Sequence, residues 1–211
     1  MLLIGLTLLA CEGAKTSYTG HSPDSYLPLN GERTWRYKNG EVGAEFSDDD
    51  IEINVETFSS EKVGDYEVVE LEYSVADPRQ VLATIKWSSD SANGIFIHGY
   101  SITADGTAVD FETPVQVAET EMIPGDFTTS ETDGMSFTAT LEAMEDCPNH
   151  WYNGDDTWRC LHFSIEEASG ASVPFAGNWW FASTYGTSRF EVSSGPLSSE
   201  NPWVLSQSTF E

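Results

Sequence analysis

The chain has 211 residues, 35 acidic against 9 basic, and a formal net charge of −26. A field of that sign repels nucleic acid and anionic headgroups, and so excludes both as partners held by charge. Aromatic residues make up 12% of the chain, with seven Trp, which excludes a disordered tail and suits one substantial core.

The first ten residues are apolar or small, and the composition turns polar at Glu12. A run of about nine falls well short of the roughly 20 residues of a membrane-spanning helix, but fits the apolar centre of an export signal. No Lys or Arg precedes it. Leu8-Leu9-Ala10-Cys11 resembles a bacterial lipobox. The resemblance implies cleavage before Cys11, acylation of its thiol, and a mature protein held by lipid in the cell envelope. That places it at the outer membrane, on its periplasmic face, or at the cell surface. The alternative is a buried first element of a cytosolic domain. Residues 12–25 are small and polar and read as a tether, leaving residues 26–211 as a single β domain.

From Tyr26 onward apolar and polar residues alternate. Ile51, Ile53 and Val55 form one set, followed by Val69, Leu71, Tyr73 and Val75. Val81, Ala83, Ile85 and Trp87 form the next, and Met135, Phe137, Ala139 and Leu141 a later one. Each set predicts a strand with one buried face. Residues 95–102 are apolar on both faces, which predicts a central strand covered on both sides. Turn signals separate these runs at Val63-Gly64-Asp65, Ser91-Ala92-Asn93-Gly94, Ala104-Asp105-Gly106, Pro124-Gly125-Asp126 and Thr132-Asp133-Gly134. Short connections favour antiparallel neighbours. The expected fold is all-β: an antiparallel meander of roughly nine to eleven strands, curling into a sandwich or half-open barrel.

Three cysteines are present. With Cys11 acylated, Cys147 and Cys160 remain to pair, and a bridge closing about 14 residues contributes roughly 3 kcal/mol. The competing arrangement is a metal site of Cys147, His150, Cys160 and His162, whose ligand types suit zinc. Between the cysteines, Trp151, Tyr152 and Trp158 could stack on a ligand. Asn153, Asp155 and Asp156 could then bind hydroxyls or a cation. The plainer reading is a local mini-core turned by Asn153-Gly154.

Tyr26-Leu27-Pro28-Leu29-Asn30-Gly31-Glu32-Arg33-Thr34-Trp35-Arg36-Tyr37 resembles the opening of a group of uncharacterised bacterial lipoproteins, which carry Y-x-P-L-x-x-G-x-x-W-x-Y after the anchor. Tyr26, Pro28, Leu29, Trp35 and Tyr37 fall at matching spacings, whereas Gly31 stands one place early. Gly177-Asn178-Trp179-Trp180-Phe181-Ala182, then Gly186 and Arg189-Phe190-Glu191, is similar to a strand pair of the same group that turns at the glycine. The resemblance implies an envelope lipoprotein and imports no activity. Physically, Trp35 and Tyr37 should share one buried face, and Trp179 and Trp180 should point to opposite faces. Core packing explains these rings better than a stacking platform does.

No G-x-S-x-G elbow, phosphate-cradling glycine loop, H-E-x-x-H or EF-hand loop occurs. We therefore expect no catalytic residues, no cofactor and no resident metal. His98, in its apolar run, reads as a hydrogen-bonded core histidine. Three roles stay open. The first is an anchored, noncatalytic envelope protein that binds a partner protein or small ligand, or gives structural support. The second is a lipid carrier using the hollow of a curved sheet. The third is a carbohydrate- or calcium-binding module using the 147–160 hairpin loop. The acidity itself reads either as salt adaptation or as a plain solvated surface.

Overall fold

The computed structural model describes residues 22–40, 51–76, 78–147 and 159–210. One helical turn, α1 (Pro23–Tyr26), precedes twelve strands. The first six are β1 (Arg33–Asn39), β2 (Glu52–Val63), β3 (Tyr66–Val75), β4 (Gln80–Asp90), β5 (Gly94–Ile102) and β6 (Thr107–Ala118). The rest are β7 (Phe127–Thr132), β8 (Met135–Asp146), β9 (Arg159–Glu167), β10 (Gly177–Ala182), β11 (Gly186–Val192) and β12 (Trp203–Phe210). They form one sheet in the order β6-β5-β4-β3-β2-β1-β12-β11-β10-β9-β8-β7, an antiparallel meander curled into a nearly closed barrel.

Alternation decides which side chains enter the barrel, because successive residues of a strand face opposite ways. Ile53 and Val55, Leu71 and Tyr73, Ala83, Ile85 and Trp87, and Phe137, Ala139 and Leu141 are all buried. The interior is filled by rings from opposite walls. Trp87 of β4 meets Trp179 of β10 edge-on at 5.6 Å between ring centroids, and Tyr37 of β1 meets Phe190 of β11 at 5.0 Å. Tyr73 of β3 reaches the same Phe190 at 6.0 Å. Both ends are stoppered. Tyr26 and Leu27 close the end that carries the β10–β11 turn. Phe175, just before β10, closes the other against Tyr100, Phe111 and Phe137.

Three expectations are corrected. The strand count rises to twelve. β7 escapes the apolar alternation because its inward side chains are Thr128, Ser130 and Thr132, which carry hydroxyls. Ile51 is 64% exposed, since it precedes β2 and lies outside the sheet's inner face. β5 is covered on both faces as expected, yet it lies next to the sheet edge and not at its centre. Its outer cover is local: the Tyr66 ring lies 5.1 Å from both Phe96 and His98. In addition, α1 buries Pro23, so the folded body takes in part of the stretch read as tether.

Both aromatic motifs prove structural. Trp35 Nε1 donates to the Tyr185 carbonyl at 2.7 Å, and Tyr37 Oη donates to the Thr187 carbonyl at 2.8 Å. Gly186 adopts φ 84°, in the left-handed region open to glycine, and a Cβ there would lie 3.4 Å from Trp35 Nε1. The opening motif and the late strand pair are therefore one packing unit, with α1 locked onto it where Thr184 N–H donates to the Ser25 carbonyl at 2.5 Å.

Candidate functional site

The stapled end of β8 and β9 is where the sequence concentrates polar and aromatic chemistry. Cys147 and Cys160 are joined by a disulfide with their Cα atoms 5.0 Å apart. Both thiolates that the metal arrangement requires are consumed by that bond. Cys160 is buried, and its sulfur lies 3.1 Å from Ser188 Oγ. His162 comes from β9, where it faces Trp180 across the ladder.

Trp180 is the centre of this outer layer. Its indole N–H donates to Glu145 Oε1 at 2.6 Å. The His162 imidazole stacks on it at 4.1 Å with planes only 14° apart. Arg189, its cross-strand neighbour on β11, holds its guanidinium carbon 4.2 Å from the ring centroid. Because β9 and β11 flank β10 on opposite sides, imidazole and guanidinium occupy the two faces of the indole. Arg189 also pairs with Glu191, and His162 Nε2 lies 3.2 Å from Asn178 Oδ1. Trp180 is only 5% exposed. So covered, it offers no open ring face for a sugar; it packs in one buried cluster with Cys147, Cys160 and Ala182.

Trp179 faces the other way, fully buried, with its N–H given to the Phe175 carbonyl at 2.8 Å. The expected split of the Trp pair is thus observed. Cys11 and the lipobox, His150, and the ligand candidates Trp151, Tyr152, Asn153, Asp155, Asp156 and Trp158 lie outside the described residues.

A second locale is a cleft of about 390 Å³ at the α1 end, lined by Asp24, Leu29, Asn30, Arg33, Glu67 and Ser89 among others. Arg33 donates to the carbonyl and side-chain oxygens of Asn30. The lining thus carries both charges, with Asp24 and Glu67 beside Arg33.

His98 is a buried group held well away from its ordinary value. Its Nε2 lies 2.7 Å from Ser88 Oγ, and burial, followed by the nearby Lys86 ammonium, pushes its pKa down to about 4. It is a neutral structural histidine. Lys86 itself is held by Asp110 at 2.5 Å and by Glu70 at 3.6 Å, and these contacts raise its pKa. Arg79 bridges Glu56 and the buried Glu72. Lys86 and Arg79 are thus matched to carboxylates, a small part of a chain with 35 acidic residues against 9 basic.

The feature that sequence reasoning missed is the meeting of the two sheet edges. β6 and β7 share no backbone ladder. Thr128 Oγ1 donates to the Gln116 carbonyl at 2.5 Å, and Gln116 N–H donates to Ser130 Oγ at 3.0 Å. Thr113 N–H donates to Thr132 Oγ1 at 3.2 Å, and Glu112 N–H to Asp133 Oδ2 at 3.3 Å. Side chains of one edge strand thus satisfy the backbone of the other. The available signal was the spacing by two of Thr128, Ser130 and Thr132 between two turn sequences.

No family model matches this chain, and no curated protein or solved structure is significantly similar to it.

Proposed function

We propose that the protein is an envelope lipoprotein anchored through an acylated Cys11, with a noncatalytic binding or structural role performed by the outside of its barrel. The observation that carries the second half is the filled interior, where Trp87, Trp179, Tyr37 and Phe190 meet across the barrel. A carrier of lipid needs an apolar hollow, so the packed rings favour surface display over the carrier role. Anchorage rests on the lipobox, since two or more acyl chains at about 0.8 kcal/mol per buried methylene give lasting attachment. The likeness to lipobox proteins with a Y-x-P-L opening supports the same address. The disulfide at the base of the 147–160 hairpin favours a second reading, in which that stapled loop binds a carbohydrate or calcium.

Substituting Cys11 with Ser tests the anchor. The variant is expected in the soluble envelope fraction, while the natural chain sediments with membranes. A C11S chain that still sediments with membranes overturns lipid attachment.

A further inference from the structure

β7 is the last strand of the sheet and carries an open edge. It pairs with β8 from Phe127↔Thr140 to Thr132↔Met135 without a register shift. Among the described residues, no strand pairs with its other side, because β6 approaches through side-chain bonds alone. An open edge presents unpaired N–H and C=O groups to any extended chain. Proteins usually blunt such edges with Lys, Pro or a bulge. β7 reads Phe-Thr-Thr-Ser-Glu-Thr and has none of these devices. Its residues favour extended structure, and Phe127 is 63% exposed.

Charge selects the occupant. Beside the edge lies a cleft of about 390 Å³ lined by Glu112, Glu131 and Asp133 together with Thr113, Thr132 and Met135, and no basic residue lines it. A second copy of this chain would bring its own Glu131 and Asp133 to the same place, in addition to a net charge of −26. Like charges facing one another disfavour that pairing, whereas a cationic segment gains from the field.

We propose that the open edge of β7 is a docking site for an extended polypeptide segment bearing Lys or Arg, which adds a strand beside β7 and seats a cationic side chain in the Glu112–Glu131–Asp133 cleft. Backbone pairing supplies affinity and the cleft supplies selectivity, as in other strand-addition complexes. The proposal deepens the binding role suggested above but does not need the lipid anchor, so the two fail independently: one is read by membrane fractionation, the other by peptide binding.

The test uses the full-length chain in nonionic detergent and a fluorescein-labelled peptide, Thr-Lys-Val-Lys-Thr-Lys-Val-Lys, followed by fluorescence anisotropy. Three comparisons accompany it: the same peptide with Glu for Lys, the Lys peptide N-methylated at alternate amides, and the double variant Glu112→Lys/Glu131→Lys of the protein. Both substituted residues are exposed, and unchanged melting of the variant confirms its fold. The Lys peptide should bind at least about tenfold more tightly than the Glu peptide. N-methylation and the double charge reversal should each weaken it by about tenfold or more, and bound peptide should slow amide exchange across residues 127–132. Equal binding of the N-methylated peptide would reduce the effect to diffuse charge attraction and overturn the proposal. So would undiminished binding by the double variant, no binding of the Lys peptide, or a dimer of the chain itself protected at β7.

Discussion

Two junctions join the halves of this barrel, and they are built differently. β1 and β12, which lie far apart in the chain, pair along the whole of β1, from Arg33↔Phe210 to Asn39↔Trp203. β6 and β7, which are consecutive in the chain, form no ladder and meet through hydroxyls and one carboxylate. Proximity in sequence therefore does not decide pairing here. A two-residue turn dictates a hairpin, but residues 119–126 make a longer connection tied to itself. Met122 is buried, its sulfur accepts from Glu119 N–H at 3.4 Å, and Asp126 Oδ2 accepts from Ile123 N–H at 3.0 Å. That packed connection delivers β7 with its inner hydroxyls toward the β6 backbone, not beside it in register. One junction combines a backbone ladder with buried aromatics; the other satisfies backbone groups of β6 through side chains, without extending the sheet.

Breaking the first junction should cost most. Trp35→Ala removes a fully buried indole and its hydrogen bond to the Tyr185 carbonyl, so urea unfolding should show a loss of about 3–5 kcal/mol. At the second junction, Thr128→Val keeps side-chain volume but leaves the Gln116 carbonyl without its donor. Together with Thr132→Val, which deprives Thr113 N–H of its acceptor, the loss should be about 2 kcal/mol in the same assay. A Trp35→Ala effect no larger than that of the double valine variant would abolish the contrast.

A third effect concerns pH. His98 sits on β5, beside the seam strand β6, and faces Ser88, Tyr66 and Lys86. Its folded pKa of about 4 lies below the ordinary 6.5, so the unfolded chain takes up the proton first. Its contribution is thus complete above the ordinary value and declines as pH falls toward 4. His98→Gln should flatten the stability profile over that window, measured by unfolding at successive pH values. An unchanged slope would show that His98 is not the group responsible.

Much of the barrel was legible in the sequence because its walls obey a period of two. Trp35 and Tyr37, or Phe137, Ala139 and Leu141, announce a buried face by spacing alone. The opposed faces of Trp179 and Trp180 were legible for the same reason, and so was the pairing of Cys147 with Cys160. What alternation could not convey was cover on the outer face. Trp180 is hidden by His162 and Arg189, which come from the strands on either side of it and meet over its ring only once the register is set. The seam was illegible for a related reason. A strand whose buried face consists of Thr128, Ser130 and Thr132 carries no apolar period, and its purpose emerges only once β6 lies across it. The candidate loop residues between the two cysteines remain a reading of the sequence, while the bridge at their base is a feature of the structure.

Native-state amide exchange, followed residue by residue in low denaturant, tests most directly the claim that the barrel closes firmly at one junction and lightly at the other. The account predicts that amides of β1 and β12 exchange only through global unfolding. Thr113 and Gln116 of β6 should exchange through a smaller opening of lower free energy, together with the amides of β7. Equal protection at both junctions would contradict it.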